Sequence, residues 1–133
     1  MRTARRADTL RRPWILALGD AVAIVLFAVI GLASHREGET AAGLVRNAGP
    51  VLAGFLAAAL AVGTYRRPGV RTLAAAWILG VPAGVLLRAA ILGHGYGTKT
   101  FTFMAVTVIV TGLLLAAWRG LLELARRAVP SSD

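Results

Sequence analysis

Cysteine is absent from the 133-residue sequence, and acidic residues are few, with six Asp and Glu against fifteen Lys and Arg. The absence of cysteine excludes disulfide bonds and thiolate metal sites. The sequence also has no HExxH or GxSxG pattern and no glycine-rich phosphate loop, so no catalytic set is recognisable. We therefore expect that the chain is not an enzyme and holds no cofactor.

Apolar residues make up 57% of the chain, and its mean hydropathy is +0.70. A single soluble domain of this length has too little interior to bury so much apolar surface. The formal net charge of +9 comes from basic residues that lie between long apolar runs. Such a distribution is typical of loops held at a membrane and of contact with anionic lipid, and we expect no nucleic-acid binding.

Four apolar runs are close to the ~20 residues that a helix needs to cross a bilayer. They cover residues 14–34, 48–65, 72–92 and 101–118. The runs are too long for strands and do not alternate with a period of two. The sequence therefore predicts an all-α, four-helix transmembrane bundle over residues 14–119, with a basic tail at 1–13. The tail at 119–133 is compatible with an amphipathic extension of the last helix along the lipid surface.

The basic residues outside these runs are unevenly distributed. Five lie in the N-terminal tail, three in the second connection and three in the C-terminal tail, against three in the first and third connections together. This bias predicts cytoplasmic termini and an antiparallel up-down-up-down order in the plasma membrane. The first run is too long for an ordinary signal peptide and contains an aspartate, so we expect an uncleaved helix.

Asp20 is the first of two charged residues inside the predicted spans. It lies six residues past Trp14, which is about 9 Å into the first span at 1.5 Å per residue. A carboxylate at that depth is expected to face the bundle interior. It has two interpretations: a protonatable or solute-binding group, or a structural acceptor bonded to a neighbouring helix. The second is favoured slightly.

Arg88 lies in the third span, about 7 Å from its outer end. The two depths leave about 14 Å between Asp20 and Arg88 along the membrane normal, too far for one ion pair. We therefore predict two separate polar clusters. In the inner one Asp20 meets Arg119, or else Arg66 or Arg67. In the outer one Arg88 lies with Ser34, His35 and His94, unless its side chain simply extends to the surface.

Small residues predict where the helices pack, because helices in lipid gain little from burial against each other. Gly80 and Gly84 form a GxxxG pattern in the third span, and Gly54 lies in an alanine-rich second span. Gly31 falls on the same helical face as Asp20 and is expected to face protein. His35 and His94 could join Glu37 and Glu39 in a weak metal site, but histidines at helix ends are more often surface residues, and we predict no bound metal.

Several polar and aromatic landmarks occur in a particular order along the chain. They are Asp20, Phe27-Ala28-Val29-Ile30-Gly31, Ser34-His35 before a glutamate-glycine segment, Pro50, Trp77, Gly84, Leu87-Arg88 and Trp118-Arg119. From about Trp14 to Leu121 the chain resembles the domain of unknown function 3054 family of small bacterial and archaeal membrane proteins. The resemblance implies four transmembrane helices and no established activity. The family often has a polar or basic residue where this chain has Leu32.

Two functions fit these patterns. The first is a small transporter or channel-like protein that uses Asp20 or Arg88, forms parallel oligomers and meets anionic lipid at its cytoplasmic face. The second is a non-transporting membrane protein that assembles with or regulates a partner. The candidate polar sites are Asp20, Ser34, His35, Arg88, Trp118 and Arg119.

Overall fold

The computed structural model describes residue 5 and residues 12–34 and 41–129, and over these ranges the chain is all-α, with no strand. Four long helices account for nearly all of it: α1 (Pro13–Ser34), α2 (Ala41–Val62), α3 (Val70–Leu92) and α4 (Thr98–Ala128). Each is long and apolar enough to cross a membrane. The fold is therefore that of a multi-pass, four-helix protein, as the apolar runs predict.

Helix α2 begins at Ala41, earlier than the predicted residue 48, because two polar residues interrupt the apolar sequence of the helix before that point. It includes Arg46 and Asn47, and Pro50 lies inside the helix. The Asn47 amide Nδ2 donates to the Gly43 carbonyl at 2.9 Å, within the same helix. The helix ends at Val62, before Gly63, whose φ of +75° is the left-handed conformation that glycine adopts easily at helix ends.

Helix α4 is the longest, with 31 residues, or about 46 Å at 1.5 Å per residue. It continues without interruption beyond the predicted end at residue 118 and therefore exceeds a ~30 Å bilayer core. In this extension Leu122 is buried, whereas Leu121 and Leu124 are exposed. Glu123 pairs with Arg127 at 3.0 Å, one helical turn further along.

Helices α2 and α3 form the most extensive helix contact in the described part of the chain. Three glycines make it possible. A Cβ at Gly54 would lie 2.6 Å from the Gly80 carbonyl oxygen, and one at Gly84 would lie 2.6 Å from the Val51 Cα. These predicted packing glycines therefore bring two backbones together, as small residues do between membrane helices.

The predicted packing role of Gly31 is wrong. A Cβ at this position would meet no atom of the described residues within 4 Å. Gly31 shares the helical face of Asp20, but Ala28 is the last buried side chain described in α1. Beyond Ala28 the described residues of α1 are exposed or only partly buried.

The bundle centre is filled by large apolar side chains, including Leu16, Ile24, Phe55 and Leu115. Thr107 and Thr111 of α4 are also fully buried. Their hydroxyls donate to the carbonyls of Phe103 and Thr107, four residues earlier, at 2.7 and 2.6 Å. The two threonines therefore pack in the interior while their polar groups are satisfied within their own helix.

On two sides of α4, a contact between a tryptophan ring and a glycine joins this helix to a neighbouring helix. On one flank, a Cβ at Gly112 would lie 2.6 Å from the Trp77 ring, whose indole N–H donates to the Val108 carbonyl at 2.9 Å. On the other flank, the Trp118 ring occupies the space that a Cβ at Gly19 of α1 would need. Both contacts depend on the missing side chain of the glycine.

Candidate functional site

Asp20 of α1 is completely buried and is bound by Arg119 of α4 through two hydrogen bonds. Arg119 Nε donates to Asp20 Oδ1 at 3.1 Å, and Nη2 donates to Oδ2 at 2.7 Å. The Arg119 side chain remains 18% exposed, against 0% for Asp20. This two-point geometry is the favourable one for an arginine and a carboxylate.

Tyr65, in the turn after α2, provides the third hydrogen bond to this carboxylate. Its hydroxyl donates to Asp20 Oδ2 at 2.9 Å. Burial of the phenol, and then the charge of Asp20, raise the pKa of Tyr65 above its ordinary value, so the hydroxyl stays protonated and can donate. The neighbouring Thr64 is fully buried and donates to the Thr72 carbonyl at 3.1 Å. The turn is thereby attached to both α1 and α3.

The Asp20 cluster, defined as Asp20, Tyr65 and Arg119, is electrically neutral and well satisfied. The carboxylate accepts three hydrogen bonds, two of them from a guanidinium, so both of its oxygens are engaged. Binding a solute at this carboxylate would first require Arg119 to leave. The arrangement is thus suited to joining α1, α4 and the turn after α2, which favours the structural interpretation of Asp20.

Trp118 lies beside this cluster through its contact with Gly19, the residue before Asp20. Its indole Nε1 is buried and has no hydrogen-bond partner among the described residues. An unpaired buried N–H group is costly. The large contact area between the Trp118 ring and α1 therefore favours this placement of the side chain.

Arg88 belongs to a second cluster to which every helix contributes one side chain. Its Nε and Nη2 both donate to Asn47 Oδ1 of α2, at 2.9 and 2.6 Å. The guanidinium carbon lies 4.4 Å from the centroid of the Phe103 ring of α4. Phe103 packs in turn on Phe27 of α1, with 6.4 Å between ring centroids. We call Phe27, Asn47, Arg88 and Phe103 the Arg88 cluster.

The Arg88 cluster differs from the Asp20 cluster in its charge. No carboxylate in the described ranges pairs with Arg88, and its partners are a neutral amide oxygen and an aromatic ring. Such contacts hold a guanidinium in place without neutralising it. Among the residues that the structure describes, the charge of Arg88 therefore faces no opposite charge.

Arg88 and Phe103 open onto a cleft of about 690 Å³ at the junction of α3 and α4. The cleft is also lined by His94, Lys99 and the first turn of α4, and no described acidic side chain lines it. Gly97, the residue before α4, provides no side-chain cap, and the first turn of α4 has no acidic residue. We call this space the Arg88 cleft; the charged side chains in its described lining, Arg88 and Lys99, are both positive.

A comparison with protein-family models shows the family to which this chain belongs. The family model described as "Protein of unknown function (DUF3054)" matches residues 17–122. The chain belongs to the DUF3054 family. No curated protein and no solved structure matches it. The matched residues include the Asp20 cluster and the Arg88 cluster, so both clusters lie within the DUF3054 domain and not in the tails of the chain.

The structure places the sequence-predicted polar residues of this DUF3054 protein in different surroundings. Asp20 and Arg119 meet as predicted, whereas Arg66 and Arg67 are exposed. Asp20 and Arg88 form no ion pair with each other, as the depth estimate predicts. His94 lines the Arg88 cleft. The Ser34 side chain and His35 lie outside the described residues.

The DUF3054 sequence contains signals for some of the hydrogen-bond partners of Asp20 and Arg88 that the sequence analysis does not predict. Asn47 is its only asparagine. It lies six residues into α2, and Arg88 lies four residues before the end of α3, so the two are at similar depth. Tyr65 lies at the end of the second predicted run, where an aromatic residue is typical of the membrane interface and does not by itself indicate a partner for Asp20. Phe103 had no distinguishing signal, because it resembles any other apolar residue of the span.

No group of three potential metal ligands occurs among the residues that the structure describes. Glu37 and Glu39 of the weak metal hypothesis lie outside these ranges, together with His35. His94 lines the Arg88 cleft with two basic side chains, Arg88 and Lys99, and such surroundings disfavour a metal cation.

Proposed function

We propose that this protein is a small transporter or channel-like protein of the plasma membrane that uses Arg88 to bind its solute. The observation that carries the proposal is the position of the Arg88 guanidinium at the Arg88 cleft, with no carboxylate partner among the described residues. A charge within a membrane span is costly and is generally retained for a function. Asp20 does not share this role, because Arg119 and Tyr65 already satisfy it.

The proposed orientation has both termini in the cytoplasm and an up-down-up-down order of helices. The excess of basic residues in the tails and the second connection supports it. The contacts are compatible with this order. Asp20 joins the first part of α1 to the last part of α4, while Arg88 and Asn47 join the end of α3 to the start of α2. The Arg88 cleft would then open on the non-cytoplasmic side.

The proposed active form is a parallel homo-oligomer that meets anionic lipid at its cytoplasmic face. Ile24, Phe55 and Leu115 fill the centre of the bundle, so a solute would pass between copies or require movement of a helix. All copies would insert in one orientation, because the charge bias is strong. Basic residues of the second connection and of the α4 extension would attract anionic headgroups.

Solute flux into proteoliposomes tests the transport proposal. The protein, reconstituted in one orientation, is challenged with a panel of small neutral, cationic and anionic solutes. We expect flux of at least one class above that of protein-free vesicles, and its loss in Arg88→Gln. The matched control is Arg46→Gln, which removes one exposed charge outside the cleft. Flux of no solute, or equal flux through a folded Arg88→Gln variant, would contradict the proposal.

The alternative function is assembly with a membrane partner protein. The observation that favours it is the extension of α4, where Leu121 and Leu124 are exposed beside Arg127. A photo-crosslinking residue at Leu121 should then give discrete protein adducts in cells. The control position is Leu113, which is 67% exposed in the middle of α4. Adducts with lipid alone at both positions would argue against a partner.

A further inference from the structure

We propose that the Arg88 cleft binds a small anion that carries a carboxylate or phosphate group. This inference rests on the proposed role of Arg88 as the solute-binding residue and names the chemical class of the solute. It concerns binding, which can be measured separately from transport.

The donors of Arg88 provide the first argument. A guanidinium has five N–H groups, and two of them donate to the single oxygen Oδ1 of Asn47. Among the described residues no other hydrogen bond of this guanidinium occurs, so three N–H groups remain for a ligand. Planar N–H groups of this kind match the paired oxygens of carboxylate and phosphate.

The position of Arg88 provides the second argument. Phe103 lies against the face of the guanidinium, and Phe27 supports Phe103 from α1. The side chain is therefore held on two sides, by a ring and by an amide. A ligand that binds an already ordered arginine does not have to provide the free energy for ordering it.

The surroundings of the cleft provide the third argument. Lys99 adds a second cationic side chain to the lining, and no described acidic residue competes for either cation. The uncapped first turn of α4 adds to the positive potential, but Arg88 and Lys99 carry the site. The combined field favours an anion over a neutral or cationic solute.

The size of the cleft indicates an organic anion or phosphate more than a bare halide. Its volume of about 690 Å³ lies within the range of ~300–1,000 Å³ that is usual for small-molecule pockets. The Thr100 hydroxyl donates to the Gly95 carbonyl at 2.6 Å, so it is already engaged. The discriminating donors are therefore the cationic groups of Arg88 and Lys99.

Thermal unfolding of the full-length protein in phosphatidylcholine nanodiscs tests the proposal. Sodium acetate, succinate and phosphate are titrated separately, and sodium chloride holds the ionic strength constant. We expect at least one oxyanion to raise Tm with a saturable dependence on its concentration. A Tm that does not respond, or that responds equally to chloride, would overturn the proposal.

Three variants locate the effect. Asn47→Asp places a carboxylate against the guanidinium, and Lys99→Gln removes an exposed cation without disturbing the interior. We expect about tenfold weaker oxyanion binding for Asn47→Asp and about threefold for Lys99→Gln, with a change below about twofold for Arg46→Gln, which lies outside the cleft. Equal weakening by Arg46→Gln and Lys99→Gln would mean general surface attraction and would overturn the site.

Nanodiscs that contain phosphatidylglycerol identify the source of the oxyanion. If this lipid raises Tm and abolishes the response to soluble anions in an Arg88-dependent way, the bound group is a lipid phosphate. If the response to soluble anions persists, the ligand is a free small acid or phosphate. Saturable binding without flux would refute the transporter proposal alone, whereas flux without oxyanion binding would refute the present inference alone.

Discussion

Asp20 and Arg119 are 99 positions apart in the sequence and form a two-point ion pair inside the bundle, 2.7 Å apart at the closer contact. The pair connects the first part of α1 to the last part of α4. Tyr65 adds a third hydrogen bond from the turn after α2. One buried carboxylate therefore holds three parts of the chain at the same end of the bundle.

Loss of Arg119 should be more damaging than loss of both charges. In Arg119→Gln the buried Asp20 carboxylate loses its counter-charge, and we expect a destabilisation of about 3–5 kcal/mol, toward the lower end because Arg119 is partly exposed. The double variant Asp20→Asn with Arg119→Gln should recover part of this loss. Reversible unfolding in mixed micelles measures both. Arg71→Gln, an exposed charge change, is the control, and strictly additive effects of the two substitutions would contradict the coupling.

Removal of the Tyr65 hydroxyl should weaken the same cluster without creating a cavity. Tyr65→Phe deletes one hydrogen bond to an ionised, buried acceptor, which costs about 1.5–3 kcal/mol in the free energy of unfolding. The matched variant is Tyr96→Phe, at a position that is 59% exposed, and it should leave stability unchanged. Equal stability of the two variants would mean that the Tyr65 hydrogen bond contributes nothing.

A methyl group at Gly84 should separate α2 from α3. Its carbon would lie 2.7 Å from the Pro50 carbonyl oxygen and 2.6 Å from the Val51 Cα, and the backbone cannot move aside as a side chain would. We expect Gly84→Ala to lower the free energy of unfolding by about 1–3 kcal/mol, as overpacking usually does. Gly31→Ala is the control, because open space surrounds that position. A stable Gly84→Ala variant would contradict the close approach of the two helices.

The contact of Trp118 with Gly19 should appear as an energetic coupling. Gly19→Ala forces the Trp118 ring to move and should destabilise the protein by about 1–3 kcal/mol. In a Trp118→Leu background the same substitution should cost clearly less, since the obstructing ring is gone. Gly120→Ala, also in α4 but with nothing near its added methyl, serves as the control. Identical costs of Gly19→Ala in both backgrounds would show that the ring does not occupy this space.

The separation of the two charged clusters could be predicted from the sequence, because helix rise converts residue number into depth. The estimated depths place Asp20 at the level of Arg119 and place Arg88 at a different level in the membrane. The partner of Arg88 could not be found in this way. Asn47 lies just outside the predicted run 48–65, since Arg46 and Asn47 interrupt the apolar sequence of α2 near its start.

Helical periodicity explains the success at Gly84 and the failure at Gly31. It gives the direction of a residue around its own helix, but not the distance to the next helix. Gly84 meets the α2 backbone, whereas Gly31 lies beyond the last described buried side chain of α1. Contacts between helices thus depend on where neighbouring helices move apart. The sequence of one span alone does not show that position.

The proposed orientation predicts which connections are accessible from outside the cell. Because the chain has no cysteine, single cysteines at Gly69 and Tyr96 give unambiguous labelling. Both positions are exposed, the first between α2 and α3 and the second between α3 and α4. A membrane-impermeant maleimide applied to intact cells should label Tyr96→Cys but not Gly69→Cys. Permeabilised cells should label both, which controls for reactivity. The reverse pattern in intact cells would invert the orientation and move the Arg88 cleft to the cytoplasmic side.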